Sequence, residues 1–298
     1  MSKTLKILSR PKGNAEEYGR WSVNAYIGCS NNCGYCFLKK GPSGAYLGQD
    51  KPVLKKGVVN EEHAYHLAMA EIIEHRDEII RDGGLFMTFT SDPCLMETYD
   101  LFADINFWAC NHGIPVTILT KCAYDIPKKC EGIPKRPCFS PFCISSKMLA
   151  IGWTLTGYDE LEPNAAPNSE RLRYMKMAFD KGMMTWASIE PVIDFPSSLD
   201  MIYQALNAGC QHFKIGLLTN NTRLVRKDFE FGEHHFDAYK VNDCLHFVED
   251  VMRLTEGKAT VYWKQSVRDL FDGDGHIILD QWPHSVGKDW SMFTSDVR

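Results

Sequence analysis

Hydrophobic and polar positions along the chain alternate between two textures: short, nearly continuous apolar runs, and longer stretches whose apolar residues recur every three or four positions. The runs predict strands at 24–28, 85–90, 115–120, 149–156, 185–190 and 212–216. Between them lie amphipathic segments, clearest over 61–82, where Ala64, Leu67, Ala68, Ile72 and Ile79 share one face. Asn168 or Ser169 is placed to cap a helix running through Phe179 that Gly182 would stop, and a helix over 199–208 ends likewise at Gly209. Strands whose both faces are buried, joined by helical crossovers, predict a parallel sheet. The expected fold is α/β: a partial (β/α)6 TIM-like barrel over 1–220, with functional groups just after the strands. An irregular Cys- and Pro-rich insertion interrupts it at 121–147, and 221–298 is expected to form a C-terminal extension closing the open side.

Composition narrows the classes. The chain has 298 residues, 44% hydrophobic and 24% charged, enough for a large core. Residues 1–20 hold no apolar signal segment, and no later stretch is long and apolar enough to span a bilayer, so a cytoplasmic protein is expected. A net charge of −5 argues against bulk electrostatic coating of nucleic acid but leaves room for a local basic patch. The eleven cysteines, an odd number, point to reduced thiols or metal ligands rather than disulfides.

Cys29, Cys33 and Cys36 stand at C-x3-C-x2-C directly after the first predicted strand. Three thiolates can ligate three irons of a [4Fe–4S] cube and leave the fourth open. A structural zinc site with a distant fourth ligand, or inert buried thiols, would also account for the triplet, although zinc sites usually show paired C-x2-4-C elements. Cys122, Cys130, Cys138 and Cys143 form a second group inside the insertion, a possible second metal site without a standard template. Lys128, Lys129, Lys135, Arg136 and Lys147 make that insertion basic and suited to phosphates.

The loop with its aromatic before the last cysteine resembles the radical S-adenosylmethionine (SAM) superfamily. Over 22–216 the chain is most similar to the spore photoproduct lyase-like group, through SVNAYIGCSNNCGYCF, MTFTSDPCLMETY, VTILTK, IGWTLTGYDELEP and ASIEPVIDF. The resemblance implies a [4Fe–4S] cluster on Cys29, Cys33 and Cys36, SAM bound to its open iron, and an electron donor such as flavodoxin or ferredoxin. It implies Tyr35 near the adenine, Ser91 and Asp92 near the SAM amino group, Lys121 on the SAM carboxylate, and Thr154 and Arg171 on ribose or carboxylate. The common Gly-Gly-Glu form is absent after the second strand. Glu190 would bind ribose hydroxyls or substrate, or else pair with Lys214 across the barrel. Cys94 and Tyr262 are the candidate hydrogen-atom donors. The implied substrate is a nucleic acid or nucleobase. A peptide or small-metabolite substrate, and a non-catalytic zinc protein, are the competing readings.

Overall fold

The computed structural model describes residues 5–39, 43–123, 147–218 and 241–293. Its strands are β1 (Leu8–Ser9), β2 (Ser22–Val23), β3 (Tyr26–Ile27), β4 (Val53–Leu54), β5 (Leu85–Met87), β6 (Val116–Thr120), β7 (Leu149–Thr154), β8 (Met184–Val192), β9 (His212–Leu217) and β10 (Thr260–Trp263). The helices are α1 (Gly44–Leu47), α2 (Glu61–Glu74), α3 (Arg76–Arg81), α4 (Tyr99–Asn111), α5 (Asn168–Asp180), α6 (Phe195–Asn207), α7 (Val241–Thr255), α8 (Gln265–Arg268) and α9 (Gly275–Asp280).

Among the described residues the main sheet runs β1-β2-β5-β6-β7-β8-β9-β10. Every neighbouring pair is parallel except β1 with β2. The sheet is ordered as an open barrel wall, with β1 and β10 at its edges. All six residues of β7 are buried, which is why parallel strands read as continuous apolar runs. One face of the sheet packs on the helices through Ala187, Ile189, Phe213, Ile215, Val261 and Trp263. The helix that meets this face near the chain's end, α7, buries Cys244, Phe247, Val248, Val251, Met252 and Thr255, a stripe at helical spacing.

The other face, called here the site face, is layered by the strand register. Phe86, Thr117, Ala150 and Met184 lie side by side, then Leu119, Gly152, Trp186, His212 and Thr260. Above these come Thr154, Ser188, Lys214 and Tyr262. The first two layers form an apolar floor with Tyr18 and Phe89 packed on it, and the third turns polar toward the strands' C-terminal ends. Gly152 is required by this floor, because a Cβ there would lie 2.2 Å from Trp186.

The structure corrects the sequence reading at four points. The first parallel strand is Ser22–Val23, two residues earlier than expected, and Tyr26–Ile27 instead pairs antiparallel with Val53–Leu54. Asn24 causes the departure: its Oδ1 accepts the Phe89 N–H at 2.8 Å and pulls the chain out of the sheet toward the end of β5. The helix expected over 61–82 breaks into α2 and α3 at His75, whose ring packs 4.9 Å from Trp21. The helix expected from 199 starts at Phe195, because Asp194 caps it by accepting the Ser197 N–H at 2.8 Å. A seventh parallel strand, β10, joins β9, and its outer edge is covered where Val261 N donates to His284 O and Val286 N to Val261 O. No helix among the described residues is long and apolar enough to cross a membrane.

Candidate functional site

The cysteine triplet lies in the loop that follows β3. Gly28 starts it at φ +86°, and a Cβ there would lie 2.5 Å from Lys51 O, so only glycine fits the turn. The loop is fastened where Cys29 N donates to Gln49 O (2.9 Å) and Gly34 N to Leu161 O (2.8 Å). Burial raises the Cys29 thiol, with the Asp92 charge adding to it, and pushes Cys33 up to about 12. Both thiols hold their protons more tightly than an ordinary cysteine does, and a bound metal would displace them.

Asp92, after β5, is the hub that joins this loop to the sheet. Its Oδ2 accepts from Asn31 Nδ2 (2.9 Å) and Lys121 N (2.8 Å), and its Oδ1 from Cys94 N (2.9 Å) and Thr120 Oγ1 (2.7 Å). Both oxygens are thus engaged by the protein, and Asp92 acts by positioning the Cys loop against the end of β6. Its neighbour Ser91 keeps a buried Oγ with no hydrogen-bond partner among the described residues.

Sequence reasoning missed Glu162. Its side chain is 0% exposed, as is that of Arg171, whose Nη1 it meets at 2.6 Å. Tyr35 donates its hydroxyl to the same carboxylate. Arg171 also donates to Thr154 O (2.9 Å) and Ala166 O (2.7 Å), which leaves Nη2 buried without a partner. Lys121 reaches Thr154 Oγ1 at 3.3 Å and lies 5.5 Å from the centre of the Tyr35 ring. Burial alone lowers the Lys121 ammonium, but Cys33 and Glu162 more than offset this and hold it above its ordinary value. The structure therefore gathers Cys33, Tyr35, Lys121, Thr154 and Arg171 around a carboxylate that no sequence pattern had singled out.

The remaining expected residues divide. Glu190 pairs with Lys264, at 2.6 Å, which replaces the Lys214 pair that was one of its two readings. The pairing follows from register: Lys264, the residue after β10, stands one layer above Lys214, level with Glu190. Tyr262 lies on the site face beside Lys214, its hydroxyl donating to Glu17 Oε1 at 3.2 Å. Cys94 packs against the hydrophobic core, and burial followed by the Asp92 charge raises its thiol. Cys130, Cys138, Cys143 and the basic residues 128, 129, 135 and 136 lie outside the described residues, while Cys122 is buried at the end of β6.

Among the described residues no three His, Cys, Asp or Glu side chains are drawn together tightly enough to share one metal ion. Sulfurs that each bind a different iron of a cube stand farther apart than ligands sharing one ion. Beside the thiols, the unpartnered Ser91 Oγ, Arg171 Nη2 and Asn31 Oδ1 are buried polar atoms of the kind a polar ligand satisfies.

The fold is a mixed α/β one around a mostly parallel central sheet. The chain is similar to spore photoproduct lyase complexed with dinucleoside spore photoproduct (TM-score 0.59, 13% identity, 88% of this chain and 81% of that one). It is also similar to Streptococcus suis SuiB bound to S-adenosylmethionine (TM-score 0.55, 10% identity, 84% of this chain and 52% of that one). Both are radical SAM enzymes. At these identities the likeness establishes the fold. No protein-family description matches the chain, and no curated protein sequence does.

Proposed function

We propose that the chain is a radical SAM enzyme in which Cys29, Cys33 and Cys36 hold a [4Fe–4S] cluster beside a SAM site at the C-terminal ends of β5, β6 and β7. The observation that carries this reading is the coincidence of the thiol loop, with Cys33 buried and Cys29 and Cys36 partly so, with the unpartnered Ser91 Oγ and Arg171 Nη2. A cluster held by Cys29, Cys33 and Cys36 would, once reduced by a donor such as flavodoxin or ferredoxin, supply the electron for cleavage of SAM to a 5′-deoxyadenosyl radical. This chain's residues bind and orient. Tyr35, pinned by Glu162, offers its ring to the adenine. Lys121 and the outer nitrogen of Arg171 meet the SAM carboxylate, Ser91 meets the amino group, and Thr154 lies beside the ribose. Asp92 holds the loop rather than the ligand. Of the two candidate hydrogen-atom donors Tyr262 is better placed, since it lies on the site face whereas Cys94 packs into the core.

The substrate proposed is a nucleic acid or nucleobase. The resemblance of the motifs to the spore photoproduct lyase-like group supports it, as does the fold shared with a lyase complexed with a dinucleoside. The test is anaerobic turnover with dithionite, SAM and deuterated oligonucleotides. Release of 5′-deoxyadenosine that carries deuterium is expected from the wild-type chain and not from Cys36→Ala. Cleavage of SAM without label transfer from any oligonucleotide would remove the nucleic-acid assignment and leave the chemistry.

A further inference from the structure

The β8–β10 side of the site face carries a second cluster of charges that the SAM reading does not use. Lys264 Nζ donates to both oxygens of Glu190, at 2.8 and 2.6 Å, and lies 3.4 Å from Glu17 Oε2. Tyr18 donates to Glu190 and lies 2.8 Å from Ser188 Oγ. Glu17 Oε1 accepts from Gln265 N at 2.7 Å and from Tyr262. Both carboxylates of the cluster are therefore committed to Lys264 and its neighbours.

Among the described residues no carboxylate lies within ion-pair distance of Lys214, although Glu17 and Glu190 stand near it. Its Nζ donates to the main-chain carbonyl of Glu17 and lies 5.1, 5.9 and 5.6 Å from the ring centres of Tyr18, Trp186 and Tyr262. Of the charged groups around it, the ammonium of Lys264, over the same Tyr18 ring at 4.4 Å, acts on it more strongly than Glu17 or Glu190. His212, one layer below, is neutral, lowered by burial and then by Lys214 itself. A lysine serving only to balance charge would take one of the two carboxylates. This one is walled by rings and set beside a like charge, the arrangement that turns an amine into a nucleophile.

We propose that Lys214 is a reactive amine that captures an aldehyde or ketone as an imine on the site face. The lone pair of neutral Nζ adds to the carbonyl carbon as the C–O π bond breaks. The carbonyl oxygen then leaves as water with both hydrogens of the neutral amine, so no oxidant or reductant is needed. Burial first, and Lys264 second, lower the amine to about 7, so a large fraction is neutral at physiological pH. A solvated lysine offers roughly one neutral amine in a few thousand at that pH. Lys214 is itself partly exposed, and the side chain of Glu190 beside it is 23% exposed. Thr154, Ser188 and Lys214 are neighbours on successive strands, so the amine is roughly 10 Å across the sheet from the Thr154 end of the proposed SAM site. A carbonyl substrate held at Lys214 would share one face with that site.

The test uses the wild-type chain with propanal and cyanoborohydride, followed by peptide mass spectrometry across a pH series. Lys214 should be alkylated at least about tenfold faster than the exposed Lys176 and Lys258 at pH 7, with a rate midpoint near neutrality. In Lys264→Met the Glu190 carboxylate becomes available to Lys214, and its alkylation at pH 7 should slow by about tenfold. Labelling of Lys214 no faster than of Lys176, or a midpoint near that of an ordinary lysine, overturns the proposal. Neither iron nor SAM enters the experiment, so its failure and the failure of the radical reading are separable.

Discussion

Replacing Glu162 by Gln isolates the electrostatic centre of the candidate site at nearly constant shape. The native carboxylate is fully buried against Arg171 at 2.6 Å, also takes the Tyr35 hydroxyl, and acts on Lys121 through its charge. Removing one partner of a buried ion pair costs about 3–5 kcal/mol, because the remaining charge stays desolvated. Two features place this case at the low end. Arg171 keeps its bonds to Thr154 O and Ala166 O, and the new amide oxygen can still accept from Tyr35. The expected loss is therefore about 3 kcal/mol, a large share of the roughly 5–15 kcal/mol that holds an ordinary domain. Equilibrium urea unfolding of wild type, Glu162→Gln, Arg171→Met and the double variant measures it. In the double variant the stranded charge is gone, so its loss should fall well below the sum of the two single losses. A Glu162→Gln loss under about 1 kcal/mol, the scale of an exposed pair, would refute the reasoning.

Three further substitutions probe other parts of the account. Gly152→Ala sets a methyl against the Trp186 ring and should cost about 1–3 kcal/mol in thermal unfolding, with Trp186→Phe in the same background restoring part of it. Asp92→Asn turns an amide nitrogen toward donors that need an acceptor. At about 1–3 kcal/mol for each buried group left unsatisfied, a loss of roughly 2–4 kcal/mol is expected, together with faster hydrogen exchange at the Lys121 amide. Lys214→Met should flatten stability against pH. The folded amine lies near 7 and the unfolded one near 10.5, so between those values the unfolded chain binds more protons and wild-type stability rises with pH. The slope from this one group is at most about 1.4 kcal/mol per pH unit, and parallel profiles for the two proteins would contradict it.

The sheet was legible because its strands are buried on both faces: runs such as Leu149–Thr154 leave little room for another assignment. Short strands were not legible. Ser22–Val23 is too brief to show a period, and the neighbouring Asn24 that ends it acts through a bond to Phe89, a contact with no local trace. Thr260–Trp263 is also short, and its role as the seventh parallel strand depends on β9, far away in sequence.

The cysteine loop carried its own signal, since converging thiols must be close in sequence to turn so tightly. Glu162 carried none, being one of three carboxylates in Asp159–Glu162, distinguished by burial against Arg171 alone. The choice of Lys264 over Lys214 as partner of Glu190 was equally hidden. It is set by the relative register of β8, β9 and β10, which residue types do not encode.

The account rests on three sulfurs holding an iron–sulfur cube with one open iron. The most direct measurement is Mössbauer spectroscopy of the chain reconstituted without oxygen using 57Fe and sulfide, recorded with and without SAM. About four irons per chain are expected, with one iron changing its signal when SAM is added, and neither feature should survive Cys33→Ala. A preparation that takes up zinc in place of iron, or a cluster whose irons are all indifferent to SAM, would contradict it.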